Sequence, residues 1–303
     1  MLQTSTVSRV SERDLSTAVA AVRVERLTNN EAPEVLEFLG QRPIHTVAMM
    51  SFIHDNGIVS PFNRGRFYGC RDLNGQLEGV ALVGHATLME TISDRALAAL
   101  AQVARECPIT HMIMGEKERV ADFWSHYSET GRRQRLACRE WLFELSRPVE
   151  ARESIVGLRP AQISELELVM PIQAQLAYAE SGVNPMQVDP QGFHERCLRR
   201  IEQGRTWVVV ENGELIFKAD VISKTTEVIY LEGVWLREDC RHQHLGTRFM
   251  SELMRRLLED TKSICLLVNE TNEWAQGFYR KCGFHFRATY ETIFLPRKEQ
   301  VQN

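Results

Sequence analysis

The stretch Leu231–Leu258, LEGVWLREDCRHQHLGTRFMSELMRRLL, decides how the chain is read. It is entered from an apolar strand, Ile229-Tyr230-Leu231 through Val234-Trp235-Leu236. It crosses a polar turn at Arg237-Glu238-Asp239-Cys240 and continues as a helix. The helical part is amphipathic, with Leu245, Phe249, Leu253, Met254, Leu257 and Leu258 at near-helical spacing. Between strand and helix stand Arg241, His242, Gln243, His244, Leu245, Gly246 and Thr247. The first turn of a helix has N–H groups without intrahelical acceptors and a partial positive charge, so it favours anions. Each such amide bonded to a charged phosphate oxygen contributes roughly 1.5–3 kcal/mol, so a few of them hold a diphosphate without a lysine. Gly246 has no side chain to keep the backbone away from that ligand. The expectation is a strand–turn–helix unit that grips a phosphate-bearing ligand.

Working outward, the elements after this unit are a strand at Ile264–Val268, a helix at Trp274–Lys281, and strands near Phe284–Arg287 and Tyr290–Phe294. Before it, Trp207–Val210 and Leu215–Ile222 flank Asn212-Gly213, a hairpin signal. Further back lie a helix at Phe193–Ile201, a loop at Ser181–Pro185, a helix capped by Ser164 that runs to about Tyr178, and a strand at Val156–Leu158. The charged, aperiodic segment Arg147-Pro148-Val149-Glu150-Ala151-Arg152-Glu153 reads as a domain boundary. The first half repeats the same order. A strand spans Val22–Leu27, a helix capped by Asn30 runs through Leu39, and a second covers Ile44–His54. A hairpin turns at Asn74-Gly75 between Phe67–Cys70 and Val80–Val83. Helices at Ala96–Arg105 and Val120–Tyr127 and strands at Met112–Met114 and Trp141–Leu145 follow. The two halves look like a duplicated α/β (α+β) fold. Residues 1–21 form a leader, 22–147 a first domain and 154–298 a second. Where the second half has Arg241–Thr247, the first has His85-Ala86-Thr87-Leu88-Met89-Glu90 and no glycine, so only the second half is expected to bind the ligand.

The 303 residues are 44% hydrophobic, enough for two cores. A net charge of −4 argues against general binding to nucleic acid or an anionic membrane. No apolar run is long enough for a transmembrane helix, and the charged N-terminus lacks a secretory core. Seven cysteines scattered singly suggest reduced thiols in a cytoplasm.

With these elements in place, the second half resembles the GNAT acyltransferase superfamily. Its phosphate turn, Arg/Gln-x-x-Gly-x-Gly/Ala, is matched by Arg241-His242-Gln243-His244-Leu245-Gly246, with His244 standing where the family has its first glycine. A later segment, Asn-x-x-Ala-x-x-x-Tyr-x-x-x-Gly-Phe, is matched in full by Asn272, Ala275, Tyr279, Gly283 and Phe284. The resemblance covers about residues 155–295. The first half more loosely resembles a decayed copy of the same fold. What this implies is two tandem GNAT-like domains, each a mixed, mostly antiparallel sheet flanked by helices, the second using acetyl-CoA or a similar acyl-CoA. Backbone groups of Val234, Trp235 and Leu236 would meet the pantetheine arm. The amides of His242 through Thr247, aided by Arg241, would hold the pyrophosphate, and Asn272 would contact the cofactor. The implied reaction is direct transfer of an acetyl group to a primary amine of a small molecule or a protein lysine.

Tyr279 is the candidate acid for the leaving thiolate, against the alternative of a core tyrosine. Glu232 is the candidate base, against an exposed or ion-paired carboxylate. His242 and His244 lack a third ligand at metal-binding spacing, so no metal is expected. Cys240 reads as a turn residue more readily than as a nucleophile. Tyr178, Glu180, Asn184, Phe193 and Trp207 are candidates for the acceptor lining, and Glu180 suits a cationic amine. A non-catalytic acyl-CoA sensor is the rival reading.

Overall fold

The computed structural model describes residues 22–147, 155, 157–241 and 243–296. The leader at 1–21, most of the expected boundary segment, Val156 and His242 lie outside the described residues. The first half contributes β1 (Arg23–Arg26), α1 (Ala32–Leu39), α2 (Pro43–Asn56), β2 (Gly65–Arg71), β3 (Leu77–Gly84), β4 (Ala86–Thr91), α3 (Asp94–Arg105), β5 (Met112–Glu116), α4 (Lys117–Tyr127) and β6 (Leu136–Leu145). The second contributes β7 (Arg159–Pro160), α5 (Leu166–Ser181), α6 (Pro185–Val188), α7 (Pro190–Glu202), β8 (Thr206–Glu211), β9 (Glu214–Lys224), β10 (Val228–Leu236), α8 (Leu245–Leu257), β11 (Ser263–Asn269), α9 (Glu273–Lys281) and β12 (His285–Phe294). The repeated order of elements read from the sequence is therefore present.

All twelve strands join one sheet in the order β1-β2-β3-β4-β5-β12-β6-β11-β10-β9-β8-β7. Neighbours are antiparallel except for β4–β5 and β10–β11. The last strand of each half has crossed to the other: β12 pairs with β5 and β6 with β11, while β6 and β12 pair with each other in the middle. The two halves thus share a continuous sheet rather than each closing its own.

Alternation along the strands sends one set of side chains to each face. On one face α3 and α4 cover Ala81, Val83, Ile113 and Ile293, and α8 and α9 cover Phe143, Phe217, Leu231 and Leu266. On the other, α1 and α2 cover Phe67, Val80 and Leu82, and α5 and α7 cover Val208 and Leu215. Helix α2 reaches across the midline: its Val47 packs with Leu142, Tyr230, Cys265 and Tyr290 from both halves.

Several local expectations are corrected. The first helix begins from a capping box of Thr28 and Glu31, not from Asn30. The helix expected from Ser164 is led by Gln162 and Glu165, whose carboxylate returns to the Gln162 amide at 2.8 Å and also pairs with Arg159. The strand expected at Val156–Leu158 is a two-residue bridge at Arg159–Pro160. The two final strands are one strand, bulged between Phe286 and Ala288. Of residues 85–90, set against the phosphate turn in the sequence comparison, all but His85 lie in strand β4, so the counterpart of that turn is Ile92-Ser93 before α3.

The exchange predicts interdependence. Residues 155–296 expressed alone lack β6, which separates β11 from β12, and are expected to show no cooperative thermal transition by circular dichroism. A sharp transition from that fragment contradicts the exchange.

Candidate active site

The site is created where two parallel strands part. β10 and β11 are paired from Val228↔Ser263 to Leu231↔Leu266. Beyond this point β10 follows β9 to Leu236↔Phe217, and β11 follows β6 to Asn269↔Glu140. A wedge opens between them. The edge of Glu232–Leu236 that faces it has no strand partner among the described residues, so its main-chain groups are available to an extended ligand. Val234, Trp235 and Leu236, expected to meet pantetheine, lie on this edge.

Helix α8 starts at the end of the same strand. Its first intrahelical bond runs from the Arg248 N–H to the His244 carbonyl at 3.1 Å, so the amides of Leu245, Gly246 and Thr247 precede the ladder. The His244 side chain does not cap this end. His244 has φ +59°, the left-handed conformation that glycine takes at least cost. The turn takes up this conformation with a histidine rather than a glycine. Gly246 is small for a reason the sequence did not reveal. A Cβ there lies 3.3 Å from both Leu236 and Phe278, so the missing side chain lets α8 seat against β10 and α9. Arg241 donates to the Leu236 carbonyl at 3.3 Å, and Gln243 to the Asp239 carbonyl at 2.9 Å. Both bonds brace the turn. Asn272 caps α9, its side-chain oxygen accepting from the Ala275 amide at 3.0 Å.

In the first half the corresponding helix start is filled. The Ser93 hydroxyl accepts from the Ala96 amide at 3.3 Å and donates to Glu78 at 2.7 Å; Arg95 also donates to Glu78. A nearly buried carboxylate thus occupies the region beside the α3 N-terminus.

Glu232 lies at the mouth of the wedge, on the face covered by α5 and α7. The Tyr230 hydroxyl donates to its Oε1 at 2.6 Å. Burial pushes the Glu232 carboxyl above its ordinary range, with the Tyr230 bond and the Arg200 and Lys218 charges opposing. Glu140, on β6 and so contributed by the first half, is pushed up to about 7, first by burial and then by the charge of Glu232; a 2.7 Å bond from Thr292 opposes this. Glu180, near the end of α5, is exposed, with protein crowding one side of its carboxyl. Burial, then the charges of Glu232 and Glu140, push its carboxyl up as well. The three carboxylates perturb one another across α5, β6 and β10.

Tyr279 approaches from α9, on the opposite face, with its ring edge-on to Phe278 and Phe284 at centroid distances of 5.2 and 5.7 Å. Burial keeps its hydroxyl protonated well above the ordinary tyrosine range. Of the remaining lining candidates, Phe193 is buried in the core, Trp207 is half-buried with Arg256 over its ring, Asn184 caps α6, and Tyr178 is exposed. Cys240 is buried with Arg237 3.7 Å from its sulfur. No group of three metal-ligating side chains exists among the described residues, and none of their helices is long and apolar enough to cross a membrane.

Residues 174–284 match the model of the acetyltransferase (GNAT) family. The second half of the chain carries a GNAT domain. The matched span takes in the wedge, the α8 start, Glu232 and Tyr279. No curated protein matches the chain. Among solved structures, a tandem GNAT protein from the clavulanic acid biosynthesis pathway superposes over 92% of this chain and 100% of its own at 12% identity, with a TM-score of 0.55. A GCN5-related N-acetyltransferase from Sphaerobacter thermophilus covers 93% and 98% at 13% identity and a TM-score of 0.56. A Drosophila protein covers 91% and 99% at 10% identity and a TM-score of 0.64. At these identities the likeness is one of fold, and it extends through both halves.

Two outcomes are expected. His244→Gly relieves the left-handed residue and raises stability by about 0.5 kcal/mol in urea unfolding, since the strain relieved exceeds the extra chain entropy of glycine. Glu140 carries a raised folded pKa, so its contribution is full below the unfolded value near 4.5 and is lost as pH rises to about 7. Glu140→Gln escapes this loss. Its melting temperature is expected to exceed that of the parent by about 2 °C or more at pH 8 and to match it at pH 4.

Proposed function

We propose that the GNAT domain transfers an acetyl group from acetyl-CoA to the amine of a cationic acceptor. The observation that carries this reading is the position of Glu232 and Tyr279: within the family-matched span, on opposite faces of the sheet, beside strands that have parted. The acetyl-CoA thioester supplies the activated acyl group. The free edge of Val234–Leu236 suits its pantetheine arm, and the amides of Leu245, Gly246 and Thr247 suit its pyrophosphate, as the sequence resemblance implied.

The chain's own residues account for the protons. An alkyl ammonium has a pKa near 10.4, so freeing the amine at pH 7 costs about 4.6 kcal/mol. Glu232 takes that proton; burial has made it a stronger base than an ordinary carboxylate. The amine nitrogen then bonds to the thioester carbon and the carbon–sulfur bond breaks. The nitrogen gives up its second proton to solvent and Tyr279 gives its proton to the sulfur, leaving a neutral amide and free thiol. Solvent returns a proton to Tyr279 and removes one from Glu232. Once ionised, above about pH 7 for Glu140 and about pH 8 for Glu180, these two carboxylates attract the acceptor by charge.

The test is acceptor-dependent thiol release from acetyl-CoA over a broad panel of amines. Tyr279→Phe is expected to lower kcat about 10²-fold with acetyl-CoA binding unchanged by calorimetry, and Glu232→Gln to abolish the acidic limb of the pH–rate profile. Because Glu180 and then Glu140 are neutralised on acidification, the KM for a cationic acceptor should rise as pH falls from about 8 through about 7. Calorimetric binding without thiol release for any amine would instead identify a cofactor sensor.

A further inference from the structure

β10 is irregular just where the wedge opens. Glu232 pairs with Asp220 and Trp235 with Lys218, so Gly233 and Val234 together oppose the single residue Ala219. This is a bulge of two residues against one. Gly233 has φ +60°, and a Cβ built on it lies 2.9 Å from Lys218 Nζ, 3.0 Å from Gln173 Oε1 and 3.2 Å from Asp220 Oδ2. The conformation therefore favours glycine, and a side chain there would press on the ends of Lys218, Gln173 and Asp220.

What crowds Gly233 is a buried ion cluster. Lys218 and Asp220 are both 0% exposed. Lys218 Nζ donates to Asp220 Oδ2 at 2.6 Å, to Gln173 Oε1 at 2.7 Å and to the Gly233 carbonyl at 3.3 Å. Arg200 of α7 and Thr206 of β8 complete the shell of Asp220 at 3.0 and 2.8 Å. Burial alone pushes the Asp220 carboxyl up, but the Lys218 and Arg200 charges outweigh it and hold it below its ordinary range. Taking these charges out of water is costly before pairing, and apolar residues of similar volume often serve stability as well or better. Packing alone does not call for such a cluster. It does hold one main-chain carbonyl in place.

A trans peptide points its C=O and the following N–H in opposite directions. A Gly233 carbonyl held toward Lys218 turns the Val234 N–H away from β9, toward the side on which β11 has left. We propose that Lys218 is a positioning residue: through the Gly233 carbonyl it fixes the bulge of β10, so that the Val234 amide faces the wedge as a donor to the thioester carbonyl oxygen. Gln173 ties the same ammonium to α5, the helix that carries Glu180, so the bulge and the acceptor wall share one anchor. This rests on the acetyl-CoA reading for the identity of the carbonyl, while the effect on the bulge is independent of it.

The test uses the full chain with Lys218→Met, and Lys218→Met combined with Asp220→Asn to avoid a buried unpaired carboxylate should the single variant fail to fold. A crystal structure of the folded variant is expected to show the Gly233–Val234 peptide rotated or the bulge shifted in register. An unchanged bulge, with Gly233 still at positive φ and its carbonyl in place, overturns the proposal whether or not any amine is turned over. With an acceptor in hand, kcat is expected to fall about 10²-fold, the order of loss for a misplaced reacting group, while the acetyl-CoA Kd from calorimetry stays within about threefold. A kcat within about twofold of the parent also overturns it. Absence of thiol release by the unaltered protein counts against the transferase reading and leaves the bulge measurement to decide the role of Lys218.

Discussion

A strand that loses its neighbour must find other partners for its main chain, and the rest of this molecule is arranged around one such loss. β10 and β11 stay paired for four residues and then follow different strands. In the middle of a sheet, exposed amides and carbonyls of this kind are a cost unless something extended pairs with them. The helix start at Leu245 lies at the end of the abandoned edge, and the bulge at Gly233 lies at its beginning. Opening, edge and anion-favouring helix end follow from one another along about fifteen residues of chain.

The two halves show how little separates a helix start that receives a ligand from one that does not. Both have a parallel strand pair followed by a helix. In the first half Ser93, Arg95 and Glu78 satisfy the start of α3 from within. In the second, His244 takes up a left-handed turn and offers no capping side chain. The fold is retained in each case, because it depends on the apolar alternation of the strands and the stripes of the helices.

That alternation is also why the architecture was legible in the sequence. The hairpins at Asn74-Gly75 and Asn212-Gly213, the helices and the repeat of their order all rest on local patterns, and all are present. The exchange of β6 and β12 was hidden, because strand partners are chosen over distance and leave no local mark. Of the candidate site, the turn and Tyr279 came from motifs within single elements. Glu140 escaped notice because it belongs to the other half and meets Glu232 only through the exchanged strand. Lys218 and Asp220 looked like polar residues of an ordinary strand; only their burial reveals them. Gly246 has a further reason that the sequence does not show: a Cβ there presses on Leu236 and Phe278 of the protein itself.

The interleaved centre of the sheet has a consequence for biosynthesis. β12 is made last, yet it lies between β5 and β6. As the chain leaves the ribosome, the first half emerges with the flank of β5 bare, and it stays so until β12 has followed. Completion of the sheet therefore waits for a strand far downstream of β5. The nascent first half must meanwhile keep that flank from other chains at a stage when it is most open to aggregation.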